Sequence, residues 1–234
     1  MTSQQDITPS TYVVQVGQTF WENLPQLLWG GLLFSLVCIP ASFLFTLRLF
    51  IPMLLVASIT IGPAWTALLA FEMRLLQGRV PRQFSLFDDF RRSWRRSTLL
   101  SLLTIFPLLA LITTLPALQS PPVAPIVWIG LGADLLGCAV MATLSFYAFP
   151  SLLQHPHQGV RAAIRDALIL ASRHPANSLG LLAIGILFSF CIAYVSPALL
   201  LLLPTVYALF IAANHLLVLQ KEAHHKSVPQ SAVH

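Results

Sequence analysis

Asp134 is an acid set inside an apolar run, eight residues past Ile126 and so about 12 Å along a helix that rises ~1.5 Å per residue. An ionisable side chain at that depth is costly in hydrocarbon and marks a candidate proton or cation site. Gly130, Gly132 and Gly137 surround it, which fits equally well a packed acid that takes a hydrogen bond from a neighbouring helix. A second feature is the string Thr60-Ile61-Gly62-Pro63-Ala64-Trp65 in the middle of another apolar run. Pro63 lacks a backbone donor and crowds the carbonyl one turn earlier, and Gly62 weakens the helix beside it, so a kink or break is expected there. A broken span can expose helix ends that hold ions; the plainer reading is that Thr60 re-satisfies the freed backbone. Asn214-His215 near the end of the last apolar run could join a polar pathway, or form an interface pair reached by water. Glu72 lies beside Arg74 and Leu75 and is read as the end of a span.

Other chemistry is sparse. His155-Pro156-His157 brings two imidazoles together, and His174, His224, His225 and His234 add more, but no acid or thiol pair completes a ligand set, so no metal is expected. Cys38, Cys138 and Cys191 all lie in apolar runs and read as buried thiols without a disulfide framework. The chain has no phosphate-cradling glycine loop, no nucleophile elbow and no pair of carboxylates in one span. The expectation is therefore no enzyme and no cofactor.

The elements that position these residues follow from composition. Of 234 residues, 56% are hydrophobic and 9% charged, more apolar surface than a soluble domain of this size could bury. Residues 27–71 are interrupted by one charge, Arg48; as one helix they would span about 68 Å against a hydrocarbon core of ~30 Å. They must make two spans, near 25–47 and 50–71, with a turn at Arg48 and Pro52. Runs at 98–117 and 126–149 are divided by Gln119-Ser120-Pro121-Pro122, and runs at 178–195 and 198–219 by Ser196-Pro197. The fold class is all-α: a polytopic bundle of six transmembrane helices in three hairpins. Residues 1–23 form a cytoplasmic segment, 24–219 the membrane domain, and 220–234 a polar tail expected to be disordered.

Lys and Arg set the orientation. The segment 72–97 carries seven arginines, 150–177 carries Arg161, Arg165 and Arg173, the tail carries Lys221 and Lys226, and Arg48 alone falls on the other side. Both termini should face the cytoplasm of a cell membrane. No secretion signal is expected, because residues 1–23 lack Lys and Arg and contain Asp6 and Glu22. The basic segments are also amphipathic. Phe84, Leu86, Phe87, Phe90 and Trp94 recur at helical spacing opposite Arg91, Arg92, Arg95 and Arg96, while Val160, Ile164, Leu168 and Ala171 oppose Arg161 and Arg165. Val13, Val16, Phe20 and Leu24 give a weaker version before the first span. Three units of interfacial helix plus hairpin result, or simply the alternation common to polytopic proteins. The six interfacial arginines are candidate contacts for anionic lipid headgroups or a partner, or serve only topology and anchoring. A nucleic-acid partner is not expected.

Thr60-Ile61-Gly62-Pro63-Ala64-Trp65-Thr66-Ala67-Leu68, then Leu75-Leu76-Gln77-Gly78 and the Phe84-to-Trp94 stretch, resembles the YesL-like family of bacterial membrane proteins. Phe146-Tyr147-Ala148-Phe149-Pro150 followed by Ala163-Ile164-Arg165-Asp166-Ala167-Leu168 is similar to that family's second half. The resemblance covers roughly residues 20–219 and departs in the long Leu-rich stretch 36–59. It implies an integral membrane protein without an assigned activity, of a kind often encoded beside carbohydrate-uptake transporters. The expected function is thus a non-catalytic accessory or regulatory component of a transport system, in contact with a transporter complex. The alternative is a small transporter or channel using Asp134 and the Gly62-Pro63 break.

Overall fold

Apolar runs too long for one crossing are divided where the turn residues fall. The computed structural model describes residues 9–79, 85–119, 125–154 and 159–227. Helix α1 (Pro9–Glu22) leads into α2 (Leu24–Thr46), and Arg48 then takes the left-handed conformation, φ +57°, between α2 and α3 (Phe50–Leu76). That turn lets Arg48 N–H donate to Phe45 O and Leu49 N–H to Leu44 O, meeting carbonyls that α2 leaves open at its end. Pro52 falls inside the first turn of α3, where its missing donor costs no helical bond. Helices α4 (Ser85–Thr114), α5 (Pro125–Gln154), α6 (Val160–Arg173), α7 (Pro175–Phe190) and α8 (Leu203–Ser227) follow.

Six helices are long and apolar enough to cross a membrane, and the protein is an all-α polytopic bundle. The central pair is α3 and α8: in each, 61% of the most apolar stretch is buried, against none in that of α5. Leu27, Leu68, Leu69, Leu100, Tyr147 and Leu209 are at most 2% exposed and fill the space between helices. Tyr207 of α8 gathers the aromatic layer, its ring about 6 Å from those of Trp65, Phe146 and Phe188. Its hydroxyl donates to Leu181 O at 3.0 Å.

Two glycines permit the closest helix approaches. A Cβ on Gly62 would lie 2.5 Å from Ser101 Cβ, and one on Gly31 would overlap Leu201 O. The α3–α4 junction and the contact of α2 with the turn that precedes α8 therefore require glycine.

Several expectations change in detail. The amphipathic stretch before the third span is no separate interfacial helix but the first half of the continuous α4, because nothing between Arg96 and Leu99 breaks the helix. Helices α1 and α6 are separate, as expected. Val16 of α1 packs on Leu209 and Ala213 of α8, while Val13 lies among side chains outside the description. On α6 the packed face is Ala163, Ala167 and Leu170, and Leu168 is 51% exposed: the small residues let α6 lie close against α5, which turns Leu168 outward. The three hairpins are not equivalent. Helices α2/α3 and α4/α5 pack along their lengths, whereas α7 ends in a π-turn (Cys191–Val195) and a 3-10 turn (Pro197–Leu201), and α8 packs more extensively on α3 than on α7. The tail is helical through Ser227, since α8 runs past the apolar stretch; the rest of it lies outside the described residues. So do the Ser120-Pro121-Pro122 turn and His155-Pro156-His157.

Candidate functional site

The sequence-marked residues do not converge on one site. Asp134 sits on α5 near the Arg48 end of the bundle, half-buried, and Thr114 Oγ1 of α4 donates to its Oδ2 at 2.6 Å. Gly130 lies beside Thr114, and a Cβ on Gly137 would sit 3.3 Å from Pro107 Cβ, so these glycines bring α5 onto α4. This is the packed, hydrogen-bonded acid of the plainer reading. Gly62 lies against Ser101, and from Ser101 to Thr114 is about 20 Å of helix at ~1.5 Å per residue, so Asp134 and the Gly-Pro string are far apart.

Pro63 does not break α3, which is helical from Phe50 to Leu76. Proline leaves the Ile59 carbonyl without its i+4 amide donor. The indole Nε1–H of Trp94 on α4 donates to that carbonyl at 3.1 Å. Thr60 does not supply the repair: its hydroxyl bonds Val56 O at 2.8 Å, while Thr66 bonds Gly62 O at 3.0 Å. The Gly-Pro string is thus a joint between α3 and α4, with glycine admitting the neighbouring helix and proline freeing an acceptor for its tryptophan. At the other end of the same joint, Arg74 Nη2 donates to Asp89 Oδ1 at 2.7 Å, and Nη1 lies 2.7 Å from Oδ2, a two-point fork.

Asn214 and His215 are 6% and 1% exposed, so packing shields both and they are not a water-reached pair. Asn214 belongs to a chain of hydrogen bonds among three helices: Asn177 Nδ2 donates to Asn214 Oδ1 at 3.0 Å, Asn214 Nδ2 reaches Tyr147 Oη at 3.5 Å, and Tyr147 Oη pairs with Ser178 Oγ at 3.1 Å. Such a network holds its helices in register when its members are satisfied.

Sequence reasoning placed Glu72 at the end of a span, and the structure does not. The helix runs one turn beyond it, and its side chain is fully buried. Among the described residues, neither carboxyl oxygen has a hydrogen-bond partner. It stands on the same face of α3 as Leu69 and Leu76, which pack into the core around α8, whereas Arg74 turns away to Asp89. The available signal was the resumption of Leu75-Leu76 after the acid, which extends the apolar run past it.

The largest concentration of charge lies at the arginine-bearing end. Arg74 of α3 and Arg91, Arg92, Arg95 and Arg96 of α4 line a cavity of about 730 Å³, closed on one side by the end of α5. On the opposite side of the α3–α4 pair, an apolar groove of about 420 Å³ runs between α2, α3 and the start of α4, past Phe34, Leu68 and Phe87. Arg161 and Arg165 are exposed on α6 outside the arginine cavity, with Arg165 Nε 3.6 Å from Asp166. Among the described residues, no group of His, Cys, Asp or Glu could hold a metal ion. No family model, curated protein or solved structure matches the chain.

Proposed function

We propose that the protein is a non-catalytic component of the cell membrane, both termini cytoplasmic, that assists or regulates a transport system; the sequence resemblance points to carbohydrate uptake. The observation that carries this reading is the filled centre of the bundle. Leu27, Leu68, Leu69 and Leu209 are buried between the half-buried Asp134 near one end and the polar network around Asn214 near the other. Backbones that approach as closely as Gly31 to Leu201 and Gly62 to Ser101 leave no room for a solute between those helices. A protein that carries nothing itself acts through its surfaces, and the arginine-bearing end supplies a charged one. Under this reading, purification from native membranes brings a transporter permease with it, and reconstituted protein shows no solute or proton flux. Orientation is tested by cysteines placed at Gln77 and Leu47: labelling of Gln77→Cys from outside intact cells would reverse the topology.

A second reading, an ion-coupled transporter, is favoured by Glu72 rather than Asp134. A buried carboxyl without hydrogen bonds inside a span is a protonation site by default. Proton flux lost in Glu72→Gln but kept in Asp134→Asn would establish that reading and remove the first.

A further inference from the structure

The arginine cavity combines features that topology alone does not require. Arg91, Arg92, Arg95 and Arg96 stand at i, i+1, i+4 and i+5 of one helix, so two pairs of like charges face each other one turn apart. Like charges at that spacing repel and destabilise the helix that carries them. The structure adds Arg74 from α3 to the same cavity, and Asp89 is the single acid among the described lining residues. That carboxylate is engaged in the fork with Arg74, so it fixes Arg74 in place. The cluster is also held rigidly: the Trp94 bond to Ile59 O lies within the arginine run, and Gly62 clamps the next turns of α4, at Ser97 and Ser101, against α3. The exposed Arg91, Arg92 and Arg95 of α4, with Arg74 fixed by Asp89 beside them, border a space of about 730 Å³, within the ~300–1,000 Å³ usual for ligand sites, and give it a positive lining suited to an anion.

We propose that this cavity binds a phosphate-bearing anion. Its height in the bundle favours the headgroup of an anionic phospholipid over a soluble organic phosphate. Leu99, Leu102 and Leu103 are exposed on α4 just beyond the arginine run, so a headgroup in the cavity would have its acyl chains beside an apolar, outward-facing helix surface. The inference does not depend on the transport-system reading.

The test uses the full chain in detergent, with phosphatidylglycerol, phosphatidylcholine and inorganic pyrophosphate as probes and native mass spectrometry as the readout. Wild-type protein retains phosphatidylglycerol in preference to phosphatidylcholine. Arg92→Gln/Arg95→Gln weakens that retention by about thirtyfold, the effect expected of two basic residues at an anionic headgroup. Arg161→Gln/Arg165→Gln, exposed outside the cavity, leaves it unchanged. Arg92→Lys/Arg95→Lys keeps the charge but not the fork and gives an intermediate loss, which separates recognition from misfolding. Tighter binding of pyrophosphate than of phosphatidylglycerol, lost in the same glutamine variant, keeps the phosphate site and assigns it to a soluble ligand. Equal losses in the cavity and α6 variants, or no loss in the cavity variant, overturn the proposal.

Discussion

Asp134 and Glu72 are both acids inside membrane-length helices, and their surroundings are opposite. Asp134 stands on α5, whose most apolar stretch has no buried residue, and it accepts a hydrogen bond from Thr114. Glu72 stands on α3, one of the two most buried helices, with neither oxygen hydrogen-bonded among the described residues. Depth along a helix, which the sequence gives, made Asp134 conspicuous. Which face turns toward the bundle centre decides the cost, and that depends on the partner helices: α8 comes to lie against the Leu69–Glu72–Leu76 face. An acid with a local partner is cheap to keep, whereas one without a partner is a standing expense that a purely structural role does not explain.

The contrast is most easily broken through packing. Tyr207→Ala, which empties the aromatic layer at the packed centre, is expected to cost about 3–5 kcal/mol, while Trp128→Ala on the exposed side of α5 costs under about 1 kcal/mol. Thermal unfolding in detergent measures both, and equal losses would mean that the two regions are not differently packed. The acids themselves come next. Glu72→Met should stabilise by about 1–3 kcal/mol, because it removes unsatisfied buried oxygens and fills the same volume. Asp134→Leu should shift stability by less than about 1 kcal/mol, since the Thr114 hydroxyl can turn its one proton to Ala110 O, 3.0 Å away. Destabilisation by Glu72→Met would show that the carboxyl has a structural partner after all. A small effect is also expected at the α3–α4 joint: Trp94→Phe keeps the ring but loses the indole donor, at about 1 kcal/mol, and protease sensitivity at the Ser85 end of α4 should rise with it.

The six spans were legible because apolar run length is compared with a fixed bilayer thickness, and Arg48, Ser196 and Pro197 stand at the observed turns. Helix fusion was not: the charged first half of α4 differs in composition from its apolar second half, yet nothing in the backbone ends the helix between them. The Gly62-Pro63 string was read as a kink or break; α3 runs through it without a break, and the group that meets the freed carbonyl, Trp94, is supplied by another helix. Of the network at the arginine-bearing end only Asn214 was marked in the sequence, for the same reason. Tyr147, Asn177, Ser178 and Asn214 come from three helices and have no common spacing in the chain.

The Trp94 bond also has a bearing on how the protein is made. Spans enter a membrane in chain order, so α3 arrives carrying an Ile59 carbonyl that its own backbone cannot meet, in a setting where water is scarce. Its partner belongs to the next span to be synthesised. Until α4 is in place the second span is incomplete, which favours holding α3 at the insertion site and releasing the two helices to the lipid as a pair.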